Sequence, residues 1–135
     1  PSFALGHLVL GMALLFDGDA QCAIAPLEHG LTLNPNDPQN VAWYILLAYA
    51  QLLADEPRRA LDSANRAPAV RPNFRPAFEV LVCCAAALGC LDDARAWLAR
   101  MSELDGPESY FVAPLKRNSP RYDARITELI SKVML

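Results

Sequence analysis

The sequence predicts an all-α fold: an α-α superhelix of three helix hairpins with C-terminal capping helices. Three observations predict it. Exit signals recur at the period of a helical repeat, since Pro1, Pro35 and Pro72 lie 34 and 37 residues apart and Pro107 follows 35 later. Between them, apolar residues fall at helical and not at alternating spacing. Small residues also return in register. Gly11, Ala48 and Val82 share one place in the first helices; Ala23, Ala60 and Ala94 share one in the second helices; Gly30, Ala67 and Met101 lie seven further on. A hairpin of two helices cannot bury its own apolar surface and must stack on the next, which requires small residues where backbones approach. Val82 and Met101 are larger than their counterparts, so looser packing is expected where the array ends.

Each element follows from local signals. Positions 3–16, FALGHLVLGMALLF, are apolar almost all round, as in a helix covered on both sides. Asp17-Gly18-Asp19 breaks it, and Asp19 is placed to cap a second helix running to about Leu33 on Ala23, Ile24, Leu27 and Leu31. Asn34 to Pro38 ends that helix. A third begins near Gln39, with Val41, Trp43, Tyr44, Leu47, Ala48 and Leu52 as a broad apolar surface. Pro57 suits the first turn of a fourth, whose inner face is Ala60, Leu61, Ala64 and Ala67. Pro68 is expected to shorten it before Pro72 closes the unit. The last pair is expected over 75–88 and 91–104. Asp92 and Asp93 there favour the positive end of the second helix's dipole, with Arg100 near the other end.

Positions 1–106 therefore read as three helix pairs, and 107–135 as a tail of the same domain. Within the tail, 108–116 reads as one short helix against the last pair, limited by Pro114. The following stretch places Ile126, Leu129, Ile130, Val133 and Met134 on one helical face and Arg125, Glu128 and Lys132 opposite. Ser119 is positioned to cap it and Pro120 suits its first turn. Terminal repeats need a cover with a polar outer face, so a capping helix is expected; a partner-binding or dimerising helix is the sharper alternative.

Composition excludes several functions. With 135 residues, 53% hydrophobic content and a mean hydropathy of +0.15, the chain has material for a rich core. Twelve Lys and Arg stand against 15 Asp and Glu with no basic run, so direct nucleic-acid binding is not expected. No apolar run approaches about 18 residues, and no signal-peptide order is present, so no membrane segment is expected. The opening Pro1-Ser2-Phe3 has the character of a repeat exit, and the array is expected to be under way before it. Cys22, Cys83, Cys84 and Cys90 show no C-x-x-C spacing, and only His7 and His29 are available beside them, so no metal is expected. The thiols read as small buried residues of a cytosolic protein. No nucleophile–base motif, glycine-rich phosphate loop or H-E-x-x-H stretch occurs, and the acid pairs Asp55-Glu56 and Asp92-Asp93 stand at helix starts, where capping is the default role. Neither catalysis nor a cofactor is expected.

Gly11 with Ala23, Gly30 and Pro35, followed by Ala48 with Ala60, Ala67 and Pro72, resembles the tetratricopeptide repeat (TPR), in three copies over 3–106. The departures are His7 and Tyr44 near the expected bulky aromatic, Gly106 displacing the closing proline, and about three extra residues around 36–41. The resemblance implies a concave groove lined by the first helices: Leu5, Leu8, Met12, Leu15 and Phe16; Ala42, Ile45, Tyr49, Leu52 and Leu53; Pro76, Glu79, Cys83, Ala86 and Ala87. These are nearly all uncharged, unlike the carboxylate clamp of chaperone-binding members. Such a groove takes an amphipathic helix or extended peptide on Met12, Phe16, Tyr49 and Leu53, or is covered by another part of the chain or a second copy. Cover is favoured because exposed apolar patches of that extent are rare. A homodimer through the first helix pair would reflect a missing upstream repeat.

The exits LTLNPNDPQN and VRPNF, the hairpin LGCLDDARAWLARMSELDG and the tail PLKRNSPRYD look like the C-terminal repeat region of bacterial class III adenylate or guanylate cyclases. Similar regions follow winged-helix DNA-binding domains in bacterial regulators; the ending ISKVML departs from the glycine-leucine-rich helix of such tails. This implies a non-catalytic, cytoplasmic protein-interaction or regulatory module with a protein or peptide partner. The alternative is a structural or oligomerisation spacer.

Overall fold

The computed structural model describes residues 2–104 and 112–135. Among them lie eight α-helices and no strand: α1 (Ser2–Phe16), α2 (Ala20–Leu33), α3 (Asn40–Leu53), α4 (Pro57–Val70), α5 (Arg75–Ala87), α6 (Leu91–Ser102), α7 (Val112–Asn118) and α8 (Pro120–Met134). α1 packs along α2, α3 along α4 and α5 along α6, forming three hairpins. Successive hairpins meet through α2 on α3 and α4 on α5, while the first helices also touch, α1 with α3 and α3 with α5. One apolar cluster runs through all three hairpins and into both tail helices. No described helix is long and apolar enough to cross a membrane.

The repeat is written most plainly in the backbone of the hairpin turns. Each passes through a left-handed residue at the same register: Gly18 (φ 91°), Asp55 (φ 63°) and Gly89 (φ 76°). The amide after it reaches back five residues to close the helix end, from Asp19 to Leu14 O at 2.9 Å, Glu56 to Gln51 O at 2.8 Å and Cys90 to Ala85 O at 2.9 Å. These bonds satisfy carbonyls that a helix C-terminus leaves without partners, and the left-handed residue makes them geometrically possible. The turns are spaced like the small residues, so sequence register and backbone geometry report one repeat.

Those small residues stand where they are needed. A Cβ on Gly11 would lie 2.5 Å from Leu27 Cγ and 3.1 Å from the Ala23 carbonyl oxygen; one on Gly30 would lie 2.6 Å from Leu8 Cγ and 3.0 Å from the Ala4 carbonyl. Ala48, Ala60, Ala67 and Ala94 are fully buried, while Pro35 and Pro72 sit exposed in the turns between hairpins. Val82 is almost as buried as its smaller counterparts, whereas Met101 is half-buried and Ala94 is the one buried residue of α6.

Several local expectations are corrected. Pro68 does not shorten α4, which continues to Val70. Its missing N–H forfeits one bond close to the helix end, and Arg71 N donating to Ala67 O at 2.9 Å still closes the turn. Pro26 is likewise accommodated inside α2. α5 and α6 stop at Ala87 and Ser102, short of the expected 88 and 104. Asp19 does cap α2, accepting from Cys22 N at 3.2 Å. The Ser119 side chain makes no capping bond to α8; instead its carbonyl accepts from Tyr122 N at 3.1 Å and Asp123 N at 3.0 Å. The short tail helix spans Val112–Asn118, not 108–116; positions 108–111, with Gly106 and Pro107, lie outside the described residues. Cys83 and Cys84 are buried, but Cys22 and Cys90 are exposed, so only half of the expected buried thiols are core residues.

Candidate interaction surfaces

Most of the residues that the resemblance assigns to a groove are buried. Leu8, Leu15, Ile45, Tyr49, Leu52, Leu53 and Cys83 are all buried, and Met12, Phe16 and Glu79 are half-buried. The apolar ones share one cluster with Leu115 of α7 and Tyr122, Ile126, Leu129 and Val133 of α8. α8 lies on α5 and α6, and α7 reaches α1, so the tail spans the stack from its last hairpin to its first. The expected cap on the last hairpin is therefore only part of what the tail does. Its face follows from the sequence, since Tyr122, Ile126, Leu129 and Val133 are one helical stripe and are the buried residues of α8. The opposite face is solvated, with Glu128 paired to Arg125 at 3.4 Å and to Lys132 at 3.3 Å. Those cations hold the Glu128 carboxyl below its ordinary range, the Lys132 hydrogen bond contributing most.

Besides α7 against α1, the tail reaches the first hairpin through the side chain of Tyr122. The Tyr122 hydroxyl donates to Gly18 O at 2.6 Å and accepts from Ala20 N at 2.9 Å. Ala20 is the first residue of α2, where the amide has no intrahelical acceptor, and Gly18 is the left-handed residue of the turn. One phenol thus satisfies two backbone groups of the α1–α2 turn from more than 100 residues away. Beside it a cleft of about 290 Å³ is lined by Gly18, Asp19, Leu53, Asp55 and Arg121. Sequence reasoning missed Tyr122; its spacing of four residues before Ile126 on the apolar stripe was the available signal.

Tyr49, expected as a peptide anchor, has the opposite character. Its hydroxyl is buried without a hydrogen-bond partner among the described residues. Burial pushes its pKa well up, and the neighbouring Glu79, Cys83 and Cys84 push in the same direction. The Cys84 thiol is likewise raised by burial, from 9.0 to about 12. Neither group is poised for reaction near neutral pH, because the reactive forms are the ionised ones.

A polar cleft of about 360 Å³ lies on another side, between α2, α3 and α4. Ser63 Oγ donates to Gln51 Oε1 at 2.6 Å, Gln51 Nε2 donates to Glu28 at 3.4 Å, and Arg59 bridges Glu28 at 2.5 Å and Glu56 at 2.8 Å. Gln51 is buried, and these bonds use its polar atoms. The cluster joins neighbouring hairpins through mutual pairing, which is a structural role. His7 and His29 pack edge to face with centroids 4.4 Å apart. Among the described residues, no three His, Cys, Asp or Glu side chains are grouped closely enough to hold a metal ion. The chain matches no protein-family model and no curated protein.

Proposed function

We propose that the chain is a TPR-like superhelical interaction or regulatory module without a catalytic centre of its own, whose groove is occupied by its own tail. The observation that carries this reading is the return of the tail over the stack, with the apolar stripe of α8 buried, α8 seated on α5 and α6, and α7 against α1. A groove that accepts this amphipathic helix is a groove for amphipathic helices, and a protein or peptide partner binds there by competing with α8. The parent context suggested by the sequence resemblance is a cytoplasmic bacterial signalling protein of the class III cyclase or winged-helix regulator kind.

A second reading is favoured by the Tyr122 bridge: a permanently closed structural or oligomerisation spacer, in which the tail never leaves. Replacing Ile126, fully buried on α8, with Glu weakens the tail's seat while leaving the hairpins unaltered in sequence. Binding of a labelled peptide of residues 119–135 is then followed by fluorescence anisotropy. The interaction-module reading expects no binding to the unaltered chain and saturable binding to the Ile126→Glu chain. Absence of binding to an Ile126→Glu chain that retains its helicity would select the spacer.

A further inference from the structure

The internal repeat puts two clefts at one register. The first, of about 360 Å³ between α2, α3 and α4, is walled by the network of Glu28, Gln51, Arg59 and Ser63. The second, of about 440 Å³, lies between α4, α5 and α6, with Leu61, Ala85, Asp93, Ala96 and Trp97 among its walls. The register that pairs Ala23 with Ala60 pairs Glu28 with Asn65, and the one that pairs Ala48 with Val82 pairs Gln51 with Ala85. The spacing from Ala60 to Ala94 likewise pairs Arg59 with Asp93 and Ser63 with Trp97. Every member of the polar network is therefore replaced in the second cleft. Ala85 cannot reach across as Gln51 does, and an indole stands where Ser63 held Gln51.

The charge is changed as well. In the first cleft the cation Arg59 meets Glu28 and Glu56, whereas its counterpart Asp93 is a carboxylate that no ion pair among the described residues engages. Arg100 stands about 10 Å further along α6 and has its own acceptors, since it donates to Asn73 and pairs with Glu103 at 3.7 Å. Trp97, one turn from Asp93, rests on Phe78 with ring centroids 5.7 Å apart, so the core fixes the indole that lines the cleft.

We infer that this second cleft binds a small organic cation, a protonated amine carried on an aromatic or compact apolar body. The ammonium group pairs with Asp93, and the body lies against Trp97, Leu61 and Ala85. Indole is the best aromatic partner for a cation, and an apolar cleft of this size with one or two placed charges suits a small molecule. An anion is poorly matched, because Asp93 opposes it and Arg100 already has acceptors. None of the described tail residues lines this cleft, so its occupation does not require α8 to leave.

Titration of the isotope-labelled 135-residue chain with benzylammonium, benzyl alcohol or benzoate, followed by nuclear magnetic resonance, tests this. The Trp97 indole N–H, identified by its loss in Trp97→Leu, should shift saturably with benzylammonium, at a Kd on the order of 1 mM for so small a probe. Benzyl alcohol and benzoate should bind at least about fivefold more weakly, and Asp93→Asn, at an exposed position, should weaken benzylammonium by about the same factor. Should Asp93→Asn lose helicity, the three probes on the unaltered chain still decide. No saturable shift with benzylammonium, equal binding of benzyl alcohol or benzoate, or unchanged affinity in a folded Asp93→Asn chain would each overturn the inference.

Discussion

Tyr122→Phe isolates the bridge between the tail and the first hairpin. The ring is nearly fully buried and its packing is retained, so the substitution removes only the hydroxyl that serves Gly18 O and Ala20 N. Each net hydrogen bond contributes about 1 kcal/mol, and a buried group left without a partner costs about 1–3 kcal/mol. The adjoining cleft is lined by Asp19, Gln21, Asp55 and Arg121, so hydration of part of the vacated site is expected to bring the loss to about 2 kcal/mol. For a chain of this size that is a fall in melting temperature of roughly 6 °C. Urea unfolding followed by circular dichroism gives the free energy, and the Ala20 amide should gain hydrogen exchange in the same variant. A loss below about 0.5 kcal/mol with unaltered Ala20 exchange would refute the claim that this phenol secures the tail.

Further outcomes follow from the same geometry. Gly11→Ala should destabilise by about 1–3 kcal/mol, since its Cβ meets Leu27 and the Ala23 carbonyl, whereas Gly6→Ala, in open space, should stabilise by about 0.5–1 kcal/mol; thermal melts compare them directly. Asp55→Gly should stabilise by about 0.5–1 kcal/mol, because Asp55 holds a left-handed conformation that glycine occupies in the other two hairpin turns. Ser63→Ala should cost about 1–2 kcal/mol by removing the partner of buried Gln51, read from the urea midpoint. The raised pKa of Cys84 means that the folded state keeps a proton the unfolded chain loses, so its contribution is complete below pH 9.0 and is lost as pH rises toward about 12. Tyr49 acts in the same direction above its ordinary range. Urea midpoints should fall as pH rises from about 9 toward 12, and less steeply in Cys84→Ala.

Helix placement was legible because it rests on local chemistry. Asp19 as a cap, Pro57 in a first turn and the returning small residues each act within a few residues of their own position, and the hairpins sit where those signals put them. Pro68 misled because one lost amide is a minor defect so close to a helix end. The state of the groove was less legible. The resemblance assigns Leu15, Ile45, Tyr49 and Leu53 to one groove; all four are buried in the apolar cluster, and what encloses them depends on contacts made from far along the chain, which local spacing does not carry. The apolar stripe of α8 showed that the tail needs a surface, without saying that it reaches past the last hairpin to Gly18 and Ala20. Periodicity also treats Cys22 and Cys90 like Cys83 and Cys84, although α5 is enclosed by helices on several sides and the other two thiols stand on exposed positions.

The central claim is that the tail returns across the stack to the first hairpin within one molecule. Cys22 is exposed on α2 beside Ala20, and with Cys90 replaced by Ser it is the one accessible thiol among the described residues. A nitroxide attached there, with paramagnetic broadening read on amides of the isotope-labelled chain, tests the claim directly. Broadening of Arg121, Tyr122 and Asp123 that survives dilution with unlabelled protein is the predicted result. Sharp signals at those three residues would contradict it.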